Sequence, residues 1–493
     1  MRASAILPLL TLLLPISFPA AAAGKEIRNP PRQAKYDDGT VHMELMGKKR
    51  AAFANHRGRG DFNPKKWKKV KAPVPCVNGK AGEFRCDNID LYYFASHADL
   101  GSTTGEGSSS WGWTWKGREF IIIAQADGAA FAEVTKDGKL DYLGRLPNTA
   151  GSNPEIWREI RVLDNYAIIG SEAENHFIQI FDMRKLLNIK KKDKPKTFDS
   201  IKDLTGLFKD LPIGRTHNVV VNNDFKYAVS VGAAPRNSTQ KAGLIFIDLT
   251  DPTKPFSPGY QAEDGYVHDA QCLKYRGPDK RYKGIDICYG YNEDTLTIYD
   301  VTNKANATII SRTGYEGAAY THQGWVLDPN DQRFLIMDDE YDEYDGVGPA
   351  ADGYAVTYIW DIQDLENPKQ TGIYKSPQYG IDHNQYVKDG ISYQSHYGAG
   401  FRMLDVSSIP RDPTGKGVKQ IGFFDVYPED DHLPNQGSLD FVGSWSSYAL
   451  FESGWIVINT IERGAFVVRY NPKKGPKVKR AIGSEYVPVP VRD

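Results

Sequence analysis

Cysteine, methionine and histidine are scarce in these 493 residues, at four, six and ten. Charge of one sign is also missing. Lys plus Arg (61) nearly cancels Asp plus Glu (62), which excludes the globally basic surface of a dedicated nucleic-acid binder. Beyond the N-terminal AILPLLTLLLPISF, no stretch approaches the ~18 to 20 apolar residues of a membrane helix. The C-terminal EYVPVPVRD lacks the hydrophobic tail of a lipid-anchor signal. Amphipathic helical windows are few, apart from short pieces such as MRKLLNI (residues 183–189). These absences leave an unanchored, mostly β chain, expected to be monomeric.

The apolar run that follows Met1-Arg2, closing on Ala21-Ala22-Ala23, has the layout of a cleaved secretory signal, so the chain is expected to be secreted and extracellular. Four cysteines in an exported chain suggest two disulfides, and the local pairing of Cys76 with Cys86 and Cys272 with Cys288 is one of three arrangements. Asn237 and Asn306 begin glycosylation acceptor triplets. The expected layout is a signal peptide (1–23), a basic flexible region (24–75), a disulfide-bearing lead-in (76–110), a propeller (111–486) and a C-terminal tail (487–493). In the basic region, the cations of KKR at 48–50 and KKWKKVK at 65–71 are expected to be solvated rather than docked, and KKR also has the makings of a processing site.

What the sequence has in quantity is a repeat. A short apolar strand closing on Asp or its stand-in returns as FAEV (131), IFD (180), IFID (245), TIYD (297), YIWD (358), RMLD (402) and FVVR (466). Seven copies lie roughly 45–65 residues apart, the spacing of four-stranded propeller blades with loop insertions. A hairpin precedes each, as in THNVVVNNDFKYAVSV from Thr216. The reading is all-β, a seven-bladed β-propeller of four-stranded antiparallel blades. The closing aspartates read as acceptors for the backbone N–H groups of the next turn.

Aligning the starts of the innermost strands places His217, His268, His322 and His383 at one repeat position, each followed by an amide or acid: Asn218, Asp269, Gln323 and Asn384. The four are expected to ring one end of the channel. Reflecting each hairpin about its turn sets His268 near Asn292 and Glu293, His322 near Asp338, Asp339 and Glu340, His383 near His396, and Glu172 near Trp157. The same centre that pairs His268 with Asn292 pairs Cys272 with Cys288.

Imidazoles with neighbouring carboxylates can hold a divalent metal ion, so His217, His268, His322 and His383 are the candidate ligands and such an ion the candidate cofactor. Trp157, Arg158, Asn218, Asp269, Gln323, Asn384, His396, Glu172 and Glu293 are candidate ligand-binding residues around them. Without metal, His268 can serve as a general base, with Tyr266 or Arg215 as acid or charge stabiliser. Three functions fit: an extracellular module binding a glycan or protein over the histidine-lined face, an extracellular carbohydrate-active enzyme such as a polysaccharide lyase, or a purely structural ring holding blades in register. The acidic DDEYDEYDG at 338–346 lacks the spacing of a calcium hand and reads as a solvated turn. Trp111, Trp113, Trp157 and Trp445 read as blade packing before a stacking platform for a flat ligand.

The runs AGEFRCDNIDL, WGWT, ADGAAFAEVT, GYVHDAQC, ICYGYNEDTLTIYDVT, YTHQGW, IDHNQYVK and GAGFRMLDVS resemble the secreted LVIVD-repeat proteins of the choice-of-anchor B family, in order from Cys76 to Arg469. The resemblance implies a β-propeller and export. Bacterial members often carry a C-terminal surface or sorting anchor; this chain departs from them there, and a freely secreted form is expected. No catalytic role is implied.

Overall fold

The computed structural model describes residues 30–472. The expected signal peptide and C-terminal tail lie outside the described residues.

Seven small antiparallel sheets form a β-propeller, with blades at residues 107–147, 158–208, 218–261, 269–313, 321–379, 385–424 and 444–470. We number them 1 to 7. Within each, the first strand is innermost and successive strands pair as neighbours. Aspartates ending the third strands close the following turns as expected: Asp182, Asp248, Asp300, Asp361 and Asp405 each accept the backbone N–H two residues on, at 2.8–3.0 Å. The blades bury both faces against their neighbours, so the third strands read as continuous apolar runs. Phe131 of blade 1 stacks on Phe181 of blade 2 at 4.9 Å, and Ile121, Ile123 and Ala130 meet Val457 and Val467 of blade 7.

The ring closes with a strand the repeat did not reveal. Ile89–Ser96 is the outer strand of blade 7, antiparallel to Gly464–Tyr470, in a register running from Ile89 opposite Tyr470 to Ser96 opposite Gly464. The expected lead-in of residues 76–110 therefore supplies part of the propeller, and strands Lys80–Ala81 and Phe84–Asp87 extend the outer edge of blade 6. Both disulfides follow the local pairing. Cys76–Cys86 staples the segment entering blade 6, and Cys272 sits directly opposite Cys288 in blade 4.

Nor is the basic N-terminal region a flexible lead-in. Helices α1 (Pro30–Asp37) and α2 (Thr40–Gly58) lie across the channel mouth. Helix α2 buries Val41, Leu45, Lys49, Phe53 and His56, a stripe at helical spacing. Its apolar members pack among Ile156 and Trp157 leading into blade 2, Ala319 and Tyr320 leading into blade 5, Ile381 leading into blade 6, and Trp445 of blade 7. Of KKR, Lys49 is buried and only Arg50 is exposed, and all three lie within α2. The expectation of solvated cations holds for the lysines of KKWKKVK at 65–71, which are exposed, and fails at Lys49; burial of the apolar side of the stripe is what draws the helix onto the ring.

The C-terminal end of α2 is tied by a two-sided ion pair. His56 Nδ1 bonds Asp61 Oδ2 at 2.8 Å and Nε2 bonds Asp440 Oδ2 at 3.1 Å. Burial alone would lower the imidazole pKa, but the Asp440 and Asp61 carboxylates outweigh it and hold it above its ordinary value. Both carboxyls are held low: burial opposes this, but Lys66 and His56 prevail at Asp61, and His56 at Asp440. The raised imidazole stabilises docking fully below pH ~6.5 and loses that contribution as pH rises through its folded value. The depressed carboxyls act oppositely, contributing fully above pH ~4 and failing as pH falls through their folded values. Hydrogen-exchange protection of α2 is expected to peak between those limits and decline as pH rises above them, after correction for intrinsic exchange; His56→Gln should flatten the alkaline decline. A decline unchanged in His56→Gln would show that another group governs it.

Candidate functional site

The four repeat histidines gather at the mouth beneath α2. His217, His268 and His383 immediately precede or lie two residues before their strands, and His322 is the second residue of Thr321–Val326. All are buried. Their rings form an arc, with centroids 4.3 Å apart from His217 to His268, 4.4 Å from His268 to His322 and 4.4 Å from His322 to His383.

Each ring is fixed through Nδ1. His217 bonds Glu172 Oε1 at 2.5 Å, His268 the backbone oxygen of His322 at 2.9 Å, His322 Asp338 Oδ1 at 3.2 Å and His383 the backbone oxygen of Trp445 at 2.7 Å. Carbonyls and carboxylates only accept, so Nδ1 carries the proton, and a neutral ring then has a bare lone pair at Nε2. The Nε2 atoms of His217 and His268 lie 2.8 Å apart, within hydrogen-bond distance, which requires a proton on one of the two. His383 Nε2 faces Oε1 of the Glu340 carboxylate at 3.4 Å. Burial, with the neighbouring His217 and His322, pushes the His268 pKa well below the usual imidazole range; burial and His322 do the same to His383. His322 moves the other way: burial lowers it, but Asp338 and Glu340 prevail and raise it.

Glu340 supplies the acid. Lys49 of α2 places its ammonium 2.5 Å from Oε1, which also receives the Tyr397 hydroxyl, whereas Oε2 is buried without a hydrogen-bond partner. Burial would raise this carboxyl, but Lys49, His322 and His383 outweigh it and hold the pKa down to about 2. His268, His322 and Glu340 each bring a ligand atom within 4.8 Å of the others. On the opposite side Glu172 joins His217 to Arg215, whose Nη2 donates to Oε2 at 2.9 Å. Burial pushes that carboxyl up, but His217 and Arg215 prevail and bring it to about 2.

Two of these acids pair across blades. Hairpin reflection placed Glu172 beside Trp157, and its backbone N–H does donate to the Trp157 oxygen at 3.0 Å. Its carboxylate, however, crosses to His217 of blade 3, as that of Glu340 crosses to His383 of blade 6. Glu293 turns away from His268: it pairs with Arg236 and lies 3.8 Å from His42 of α2. Burial lifts it to about 7, against the pull of Arg236.

The residues following the histidines tie blades together. Asn218 donates to the His268 oxygen at 3.0 Å, Gln323 donates to Asp269 at 2.7 Å, and the backbone of Gln385 donates to Gln323 at 2.6 Å. The Asn384 backbone oxygen accepts from Ser395 within its own hairpin. Arg158 is buried on the Gln125 oxygen and His176. His396 stands by register opposite His383 but bonds Gln394 at 3.0 Å. Trp157 packs under Phe53 at 5.7 Å, and Trp445 against His383 at 5.1 Å. Tyr266 lies 4.9 Å from His42, beneath the cap. Asn237 and Asn306 are exposed.

No protein-family model matches the chain, and no curated protein is similar to it in sequence. Among solved structures, the computationally designed Ika8 protein aligns over 81% of this chain and 96% of its own at 10% identity and TM-score 0.43. A functionally unknown protein from Desulfotomaculum acetoxidans DSM 771 aligns over 65% and 90% at 8% identity and TM-score 0.43.

Proposed function

We propose that the protein is an exported propeller that binds one divalent transition-metal ion at its capped channel mouth, through His268, His322 and Glu340 with His217 beside them. One observation carries the reading: His268, His322 and Glu340, all buried, each bring a ligand atom within 4.8 Å of the others, and the His268 ring is held by its Nδ1–H bond to the His322 oxygen so that Nε2 is left for a metal. Nitrogen donors with one carboxylate favour zinc-like ions over magnesium or calcium. The two disulfides and exposed Asn237 and Asn306 fit an extracellular setting. His268 and Tyr266 are buried, with His42 of α2 against Tyr266, so a small ion is favoured over polysaccharide cleavage by His268, Tyr266 and Arg215, which requires a polymer to reach them.

Protein stripped with chelator is expected to take up about one equivalent of Co²⁺, with visible absorption typical of mixed nitrogen and oxygen coordination, and to release it to Zn²⁺. His268→Ala and His322→Ala should each weaken uptake at least tenfold, whereas His176→Ala, altering a buried histidine bonded to Phe177 and Arg158, should not. Wild-type protein that binds neither ion at micromolar concentration would rule out the metal centre.

A further inference from the structure

The DDEYDEYDG segment was expected to be a solvated turn; its last three residues, 344–346, are exposed, but residues 338–343 are buried. Asp338, Asp339, Glu340, Asp342 and Glu343 are each at most 2% exposed, as is Asp382, which reaches the same region from the approach to blade 6. Six carboxyls in one apolar setting demand compensation, and three receive it. Asp339 accepts from the Ala319, Tyr320 and Tyr341 backbones and the Tyr315 hydroxyl. Asp338 takes His322 and the Gln323 backbone, and Glu340 takes Lys49 and Tyr397.

The other three are left short. Neither oxygen of Asp382 has a hydrogen-bond donor, and neither oxygen of Glu343 does. Asp342 receives the Tyr358 hydroxyl at 2.6 Å on Oδ2, and its Oδ1 has none. Among the described residues no basic side chain pairs with any of them; Lys49 is spent on Glu340, and Lys48 turns to the Tyr341 hydroxyl. Asp342 lies within hydrogen-bonding reach of Glu343, a contact that needs a shared proton or a bridging cation, and Asp382 repels both, so burial is reinforced by mutual repulsion. A buried ionised carboxylate without a partner costs several kcal/mol, and three at one place require either shared protons or a cation.

We propose that Asp342 and Glu343, whose carboxyls face each other at the end of blade 5, bind a hard divalent cation of the calcium class, with Asp382 balancing its charge from blade 6. All-oxygen donors with a carboxylate excess suit Ca²⁺, in contrast to the imidazole-rich centre of His268, His322 and Glu340. The ion joins two neighbouring blades at the channel mouth, where covalent cross-links are lacking. The proposal stands independently of the imidazole centre.

The test uses chelator-stripped full chain with Tb³⁺ as probe and Ca²⁺ as competitor, reading tyrosine-sensitised luminescence; Tyr358 touches Asp342 directly. Wild type is expected to give a saturable one-equivalent signal that Ca²⁺ displaces, with a thermal midpoint that rises in Ca²⁺. Glu343→Gln with Asp382→Asn should weaken Tb³⁺ binding at least tenfold while leaving a folded protein, because neutral isosteres relieve repulsion. Asp382→Asn alone serves if the pair does not fold, with the same direction expected. His268→Ala should leave the Tb³⁺ signal intact. No saturable signal in wild type and no Ca²⁺ effect on melting would overturn the proposal and assign the carboxyls to shared protons, as would a variant that binds like wild type.

Discussion

Lys49→Met is expected to destabilise the protein by about 3–5 kcal/mol, the usual consequence of leaving one member of a buried ion pair alone. Lys49 is 2% exposed and Glu340 is fully buried, with nitrogen and oxygen 2.5 Å apart, so solvent cannot replace the lost partner. Methionine retains most of the apolar stem, which isolates the charge from the packing. In metal-free protein Glu340 would still have the Tyr397 hydroxyl and the nearby His322, but a hydroxyl supplies no positive charge and His322 is shared with Asp338. The double variant Lys49→Met with Glu340→Gln should recover most of the loss, because no uncompensated ion then remains. Chemical denaturation of the four proteins of the cycle measures this directly. A single-variant loss below about 1 kcal/mol, the range of exposed pairs, would mean that α2 does not seal the mouth in solution.

Phe94→Ala should cost a similar amount, about 3–5 kcal/mol, for a different reason. Phe94 is 3% exposed in the strand that closes the ring, its centroid 4.5 Å from Phe466 on the strand it joins. Truncation leaves a cavity between Phe84, Phe424 and Phe466 where neighbouring sheets meet. The loss falls on the seam, so residues 72–106 should become the first site of protease cleavage in the variant. Phe225→Ala, at a side chain 43% exposed, should change stability by no more than about 0.5 kcal/mol. Equal protease resistance of Phe94→Ala and wild type would show that closure does not depend on this strand.

The propeller was legible because its signals are local. Alternating strands, turn-closing aspartates and the facing Cys272 and Cys288 all lie within single hairpins, and reflection about a turn needs no knowledge of the neighbouring blade. What failed was what crosses between units. Glu172 and Glu340 reach histidines one blade on, a direction no hairpin contains. The IDLYYFAS strand at 89–96 carries no terminal Asp and precedes the first full repeat, so it looked like a lead-in. In α2 the buried stripe contains Lys49 and His56, whose polarity hides the apolar period that marks a docked helix. The acidic loop differs for a related reason: charge density suggests water, which residues 344–346 meet, whereas the fold buries residues 338–343.

The seam also sets a schedule. Ile89 and Tyr470 are partners in the register, so the first strand of the ring is made long before the segment that completes its sheet. Until residue 470 has emerged, a growing chain holds Ile89, Leu91 and Phe94 without their final cover. Six blades can form in order while the seventh waits, and the long loop closure that joins the two ends is the slow, aggregation-exposed step. A chain interrupted anywhere before blade 7 therefore loses more than one blade: it presents two unmatched edges, and the helix spanning blades 2, 5, 6 and 7 lacks part of the surface on which it rests.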